Sequence, residues 1–298
     1  MDDTDDDAAP PETRTQTLLR EAGVGDDFFD RRLPKGVFSH SQYSAYKRCG
    51  HFYERRYVLG QSSPGSGATG LGSAVHSGIE RVLKAKMAKE PLPDIKAMRQ
   101  HVADSFDAST KDAVWGPDDK PGAVKDSAIR VFEVYHLHAL PKITPIAIES
   151  GFAKKVGDVP VVGWIDLIDE VPVIDVPGMD LIARKAVPQK LVVVDTKTTK
   201  TTWGDDKVRK NTQLTLYSDI MGIPDVRIDQ LVKAVKGPIY KPSPSIRTAQ
   251  DAAVLTEDIQ ETVDAIGKGF FPKTSIDGSW ACNEKFCPFW SECRGKKF

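Results

Sequence analysis

Cysteine is scarce in this 298-residue chain: Cys49, Cys282, Cys287 and Cys293 are all there is. Four are too few for the dense disulfide framework of a small secreted domain, and a chain of this length can bury a core without one. Long apolar runs are also missing, and none approaches the roughly 20 residues that span a bilayer. A basic leader is missing too. The chain opens MDDTDDDAAPPE, whereas secretory and transit peptides carry positive charge. The expectation is a cytoplasmic protein with no membrane segment. Strong net charge is absent as well, at −1, but the charge is unevenly spread. Residues 1–30 hold ten acids against Arg14 and Arg20. Taking those out of totals of 42 and 41 leaves 32 acidic and 39 basic residues, a mildly basic body behind an acidic tail. Such a body suits a polyanionic partner, although an ordinary solvated surface has the same composition.

What is present divides the chain. Residues 1–36 read as an acidic, largely disordered tail and linker, low in large apolar residues, with room for a short helix in TQTLLREAG. The folded body is expected at 37–298. A helix is predicted over 39–57, opened by Ser39 or Ser41 as cap, and the Gly- and Ser-rich stretch 60–70 reads as loop. Helical periodicity follows at 71–89, 94–113 and 123–140. Val- and Ile-rich strands are predicted at 146–156, 160–169 and 190–196, with 170–189 as a hairpin insertion. A helix at 211–221, a strand at 226–236, a proline-bearing loop or edge at 237–248 and a helix at 251–267 complete the order. Helices, then a central sheet, then mixed elements predict an α/β or α+β domain with a mixed sheet.

Chemistry concentrates in LVVVDTKTTK, residues 191–200. Asp195 ends an apolar strand, and Lys197, two residues on, shares its face. A buried charge requires a partner, so this pair calls for mutual neutralisation or a cation. Asp166 lies within another apolar strand, VVGWIDLID. Two strand carboxylates with a lysine suit a hard divalent ion, Mg²⁺ or Mn²⁺, and metal-assisted attack on a phosphodiester. A lone D-x-K is common, and on its own a surface salt bridge explains it equally well. His76, in GLGSAVHSGIE, shares a helix face with Gly72 and Glu80 and is a candidate imidazole ligand. Glu149 is a further strand acid. Gln213 and Tyr217, four apart on one helix face, could hold a phosphate or buttress the lysine.

Three cysteines cluster in CNEKFCPFWSEC near the C-terminus, and Cys49 lies far upstream. Four thiolates complete either an iron–sulfur cluster or a tetrahedral zinc site, and a centre shared between the chain ends would staple them together.

In chain order the motifs are S-x-S-x-x-x-x-Y-x-x-C at 39–49, G-x-x-x-H at 72–76, G-x-x-D at 163–166, D-x-K at 195–197, Q-x-x-x-Y at 213–217, and the C-terminal cysteines. This order over about residues 37–298 resembles the PD-(D/E)XK nuclease superfamily. It is most similar to the RecB-like branch that carries a 4Fe–4S cluster, which includes the CRISPR-associated exonucleases and the AddB nuclease domain. The resemblance implies a restriction-endonuclease-like core: a central mixed sheet flanked by helices, an N-terminal helical part and a C-terminal cysteine cluster. It implies His76, Asp166, Asp195 and the Thr196 carbonyl as metal ligands, Lys197 as the catalytic lysine, and Gln213 and Tyr217 as supports for the site and the DNA. It makes Cys49, Cys282, Cys287 and Cys293 the ligands of a 4Fe–4S cluster, with zinc as the alternative. The activity implied is a DNA exonuclease acting on single strands or duplex ends in recombination, repair or phage DNA metabolism, with recombination proteins as possible partners. A free-standing chain of this kind resembles phage or mobile-element exonucleases, which would place it in a host cytoplasm. Two other functions fit the same motifs: a nuclease trimming fragments for a CRISPR array, and a non-catalytic DNA-binding module with a structural metal centre.

Overall fold

Val192, Val193 and Val194 set the architecture, because successive strand side chains face opposite ways. In the computed structural model, which describes residues 12–62, 65–115, 120–173, 181–234, 236–284 and 286–295, Val193 packs into one hydrophobic cluster and its two neighbours into another. A strand apolar on both faces belongs inside a sheet covered on both sides. The sheet has five strands in the order β1-β2-β3-β4-β5: β1 (Pro145–Val156), β2 (Val159–Pro172), β3 (Gln189–Thr199), β4 (Asp225–Val232) and β5 (Ile239–Ile246). Only β3 and β4 run parallel; the other neighbours are antiparallel.

The helices are α1 (Arg14–Glu21), α2 (His40–Arg48), α3 (Gly50–Tyr53), α4 (Gly67–Met87), α5 (Ile95–Ser109), α6 (Pro121–His138), α7 (Leu181–Ala186), α8 (Asp205–Arg209), α9 (Thr212–Met221), α10 (Ala249–Gly267) and α11 (Trp290–Arg294). Helices α4, α5 and α6 cover one face through Leu71, Val75, Val102 and Phe132. Helices α2, α9 and α10 cover the other through Tyr43, Leu214, Ile259 and Val263. The result is the α/β, helix-flanked mixed sheet expected from the sequence. No helix among the described residues is long and apolar enough to cross a membrane.

Boundaries shifted where caps and pairing decide them. Helix α4 begins earlier than its apolar period, because Ser66 and Thr69 form a capping box. The helix predicted over 39–57 is interrupted at Cys49, whose backbone is extended. Stretch 170–189 overlaps the paired strands of the β2–β3 hairpin, which run out to Pro172 opposite Gln189. Its described part also carries α7, and residues 174–180 of the predicted insertion lie outside the described residues. Stretch 237–248 contains edge strand β5. Its Pro242 and Pro244 are two apart, so both missing N–H groups fall on one side, tolerable only on an outermost strand. Residues 1–11, most of the acidic tail, lie outside the described residues. Within the remainder of that segment Phe28 and Leu33 are buried.

Candidate active site

Asp166 stands where the sheet forks. β2 pairs with β3 only from Leu167 to Pro172, while β3 stays paired with β4 from Val193 to Thr199. Asp195, Thr196 and Lys197 therefore part from β2 but remain held by β4. Beyond the fork the freed edge of β2 takes Phe38, whose N–H donates to the Pro160 carbonyl at 2.8 Å and whose carbonyl accepts from Val162 at 2.9 Å. The β1–β2 ladder is interrupted at the same level. Its partners step from Ile148 opposite Leu167 to Ser150 opposite Ile165. Glu149, at the skipped position, has φ +48°, a conformation that costs a residue bearing a Cβ of the order of 1 kcal/mol. Ile165 packs into one core cluster and Leu167 into the other, so β2 turns over at Asp166. The second acid of the same strand, Asp169, does different work. It is buried against Arg227, 2.9 Å away, which also binds Asp229 at 2.7 Å and so ties β2 to β4.

At the fork the backbone fixes the donors. The Thr196 N–H donates to Asp166 Oδ2 at 3.0 Å, and His76 Nε2 lies 3.0 Å from the Thr196 carbonyl. His76 Nδ1 lies 3.7 Å from Asp166 Oδ2. His76, Glu149 and Asp166 each bring one ligand atom to within 4.8 Å of the others. Lys197 Nζ lies 2.9 Å from Asp195 Oδ1 and 2.8 Å from Oδ2. Oδ1 accepts in hydrogen-bond geometry, and the buried Oδ2 faces the same ammonium as an ion-pair contact. The same ammonium donates to Gln213 Oε1 at 2.9 Å, and Gln213 Nε2 donates to Tyr217 Oη at 3.0 Å. Asp195, Lys197, Gln213 and Tyr217 thus form one polar chain from β3 to α9.

These residues fit a hard divalent cation. The donors are carboxylate, carbonyl and imidazole. Because a carbonyl can only accept, the 3.0 Å contact between His76 Nε2 and Thr196 is a hydrogen bond donated by the imidazole N–H, and both groups would be available to hold such an ion. Of the expected ligands, His76, Asp166 and Thr196 come together. Asp195 is turned to Lys197, while Glu149 joins the group.

Electrostatics agree with concentrated negative charge. Burial, and then Asp195, push the Asp166 carboxyl up to about 6 against the pull of His76, Lys197 and the Thr196 amide. Burial alone would favour a neutral amine at Lys197, but Asp195 and Asp166 outweigh it and hold its pKa above the ordinary value. A cation must displace the Asp166 proton below about pH 6. Mn²⁺ affinity is therefore expected to weaken as pH falls through that value, with protons released on binding. Calorimetry between about pH 5 and pH 8 checks this, and a flat profile would contradict it. In the cation-free protein the contribution of Asp166 to stability runs the other way. The folded state keeps this proton to about pH 6 and the unfolded chain loses it near 3.8, so that contribution falls as pH rises between those values.

A groove of about 960 Å³ opens beside the site, lined by Ser39, His40, Gln42, Trp164, Gln213 and Tyr217. His40 Nε2 lies 3.0 Å from Thr212 Oγ1, and burial, then Lys197, hold its pKa down to about 4. It is a neutral imidazole at pH 7. A single histidine at a helix start carries no motif, which is why the sequence did not reveal it.

The four cysteines line one pocket, together with Arg48 and Phe289, and none of the four is in a disulfide. Gly50 lets the chain ends meet. A Cβ there would stand 2.6 Å from Pro272 Cδ, and the His51 N–H donates to the Pro272 carbonyl at 3.3 Å. Phe52 packs on Phe289 at 5.5 Å, and Arg55 pairs with Glu292. Burial raises the Cys287 thiol pKa, and Cys49, Cys293 and Cys282 raise it further against a backbone hydrogen bond from Phe289. Mutually repelling thiolates are the donor set that a soft metal centre relieves.

The profile of the PD-(D/E)XK nuclease superfamily matches residues 37–294. Among solved structures, a protein of Eubacterium rectale provisionally designated an exonuclease superposes with a TM-score of 0.54 at 13% identity, covering 97% of this chain and 96% of that one. A second, SSO0001, covers 76% of this chain and 86% of its own at 14% identity, with a TM-score of 0.33. No curated protein matches the sequence. The fold is restriction-endonuclease-like.

Proposed function

The chain belongs to the PD-(D/E)XK nuclease superfamily, and from that premise we propose that it is a Mg²⁺- or Mn²⁺-dependent DNA exonuclease acting on single strands or duplex ends. The observation that carries this reading is the fork, where Asp166 on β2 meets the Asp195–Lys197 segment of β3. His76, Asp166, Asp195 and the Thr196 carbonyl would hold the ion. When bound, it supplies a water of lowered pKa and stabilises charge on the phosphate. Lys197, kept protonated by its two carboxylate neighbours, is placed to hold that water or the developing charge at a phosphate oxygen. Gln213 fixes the ammonium from the far side, and Tyr217 fixes Gln213. The groove gives the DNA backbone a path to the site, and a reaction at an end needs only backbone contacts.

Cys49, Cys282, Cys287 and Cys293 would hold a 4Fe–4S cluster, with zinc as the alternative, in a structural role. The motif order favours the AddB-like, RecB-like branch and a phage or mobile-element origin in recombination or repair.

End-labelled linear DNA and closed circular single-stranded DNA separate this from internal cutting. The expected result is Mn²⁺-dependent release of short labelled products from linear substrates, with circles left intact. Cutting of circles at the same rate would make the enzyme an endonuclease.

A further inference from the structure

Helix α1 reaches into the site from outside the family match, which begins at residue 37. Arg14, its first residue, places Nη2 2.9 Å from Glu149 Oε2. Its guanidinium also lies over the Trp164 ring, 4.5 Å from the centroid. Glu149 is the strand residue at φ +48°, and its carboxylate is one of the three donors gathered with His76 and Asp166. The same carboxylate thus faces two positive claimants, the guanidinium and the cation site. Around α1, Thr13, Thr15, Gln16 and Leu19 line the groove that Gln213 and Tyr217 line from the other side. The helix is lightly attached. It has no buried residue, and its apolar hold is Leu18 and Leu19 against the small cluster of Phe28, Val37 and Val162. Leu18 sits close over Gly151, where any Cβ would come within 2.7 Å of its Cδ1.

We propose that Glu149 is a third acidic side chain for the catalytic cation and that Arg14 competes with the cation for it, making α1 a displaceable latch on the active site. The inference rests on the metal-site reading above. The guanidinium cannot itself be a metal ligand; it occupies Glu149 Oε2 and offsets the carboxylate charge that would attract the ion. A cation held by Glu149 works against that pair, and linkage requires that the cation loosen α1 by the same factor by which α1 weakens the cation. Arg14 is largely exposed, so the pair is of the weak, screened class and the latch can open without unfolding the domain.

The test is calorimetric titration of Mn²⁺, without DNA, into the full chain and three variants: Arg14→Ala, Glu149→Gln and the double variant. Arg14→Ala is expected to bind Mn²⁺ about fivefold more tightly than wild type. Glu149→Gln should bind more weakly, and the double variant should match Glu149→Gln alone. Equal affinities for wild type and Arg14→Ala would overturn the latch. So would an Arg14→Ala gain that persists without Glu149. If wild type takes up no Mn²⁺ at all, the metal-site reading itself fails, and the latch with it. Hydrogen exchange gives a second readout: Mn²⁺ should speed exchange over residues 14–21 in wild type and leave it unchanged in Glu149→Gln. Exchange over α1 that is indifferent to Mn²⁺ in wild type counts against the proposal.

Discussion

Asp195→Asn is expected to lower DNA hydrolysis by about 10³-fold, some 4 kcal/mol of barrier, with the fold left in place. The carboxylate is fully buried and binds the ammonium of Lys197. The amide keeps the volume and one acceptor for that ammonium, but it removes the charge that holds Lys197 and that the proposed divalent ion would use. Deleting one member of a buried pair outright is more damaging, because the other charge is left uncompensated, at about 3–5 kcal/mol. Lys197 retains Gln213 and Asp166 as neighbours, so even Asp195→Ala should fold, with a lower melting temperature than Asp195→Asn. Single-turnover cleavage of linear DNA, beside the circular dichroism of each variant, separates the two effects. Near-normal cleavage by either variant would remove Asp195 from the site.

Cys49→Ala should be the most destabilising of the small substitutions. Cys49 ends α2, and its three companions lie at the other end of the chain. A centre held by all four closes a loop around nearly the whole fold, and its binding energy becomes folding energy. Loss of several kcal/mol corresponds to a fall in Tm of about 10 °C at this size. Anaerobically purified wild type should be brown and absorb near roughly 400 nm, as iron–thiolate centres do, and the variant should lose both colour and iron. An unchanged Tm would refute the staple, and stoichiometric zinc with no iron would refute the cluster.

The site was legible in the sequence wherever its chemistry is written in strand periodicity. Asp195 and Lys197 are two apart on an apolar strand, and the structure places them on one ammonium–carboxylate contact. Gln213 and Tyr217, four apart on a helix, are hydrogen-bonded to each other. The mixed sheet followed from the change of period near residue 145. Glu149 was harder to place. Its position depends on an interrupted β1–β2 ladder and a left-handed backbone, and neither leaves a mark in residue type. Arg14 falls in what the sequence presents as tail, because a helix with no buried residue has little apolar signal. His40 owes its neutral state to burial and to Lys197, a neighbour far away in sequence. Asp169 and Asp166 look alike in the strand. Only the β4 partner Arg227 makes one a structural anchor and leaves the other at the fork.

Crystals soaked in Mn²⁺ and measured at the manganese absorption edge would test the central claim most directly. The account predicts one strong anomalous peak within coordination distance of His76, Asp166, Asp195 and the Thr196 carbonyl. An active enzyme whose manganese lies elsewhere, with these carboxylates unligated, would contradict it.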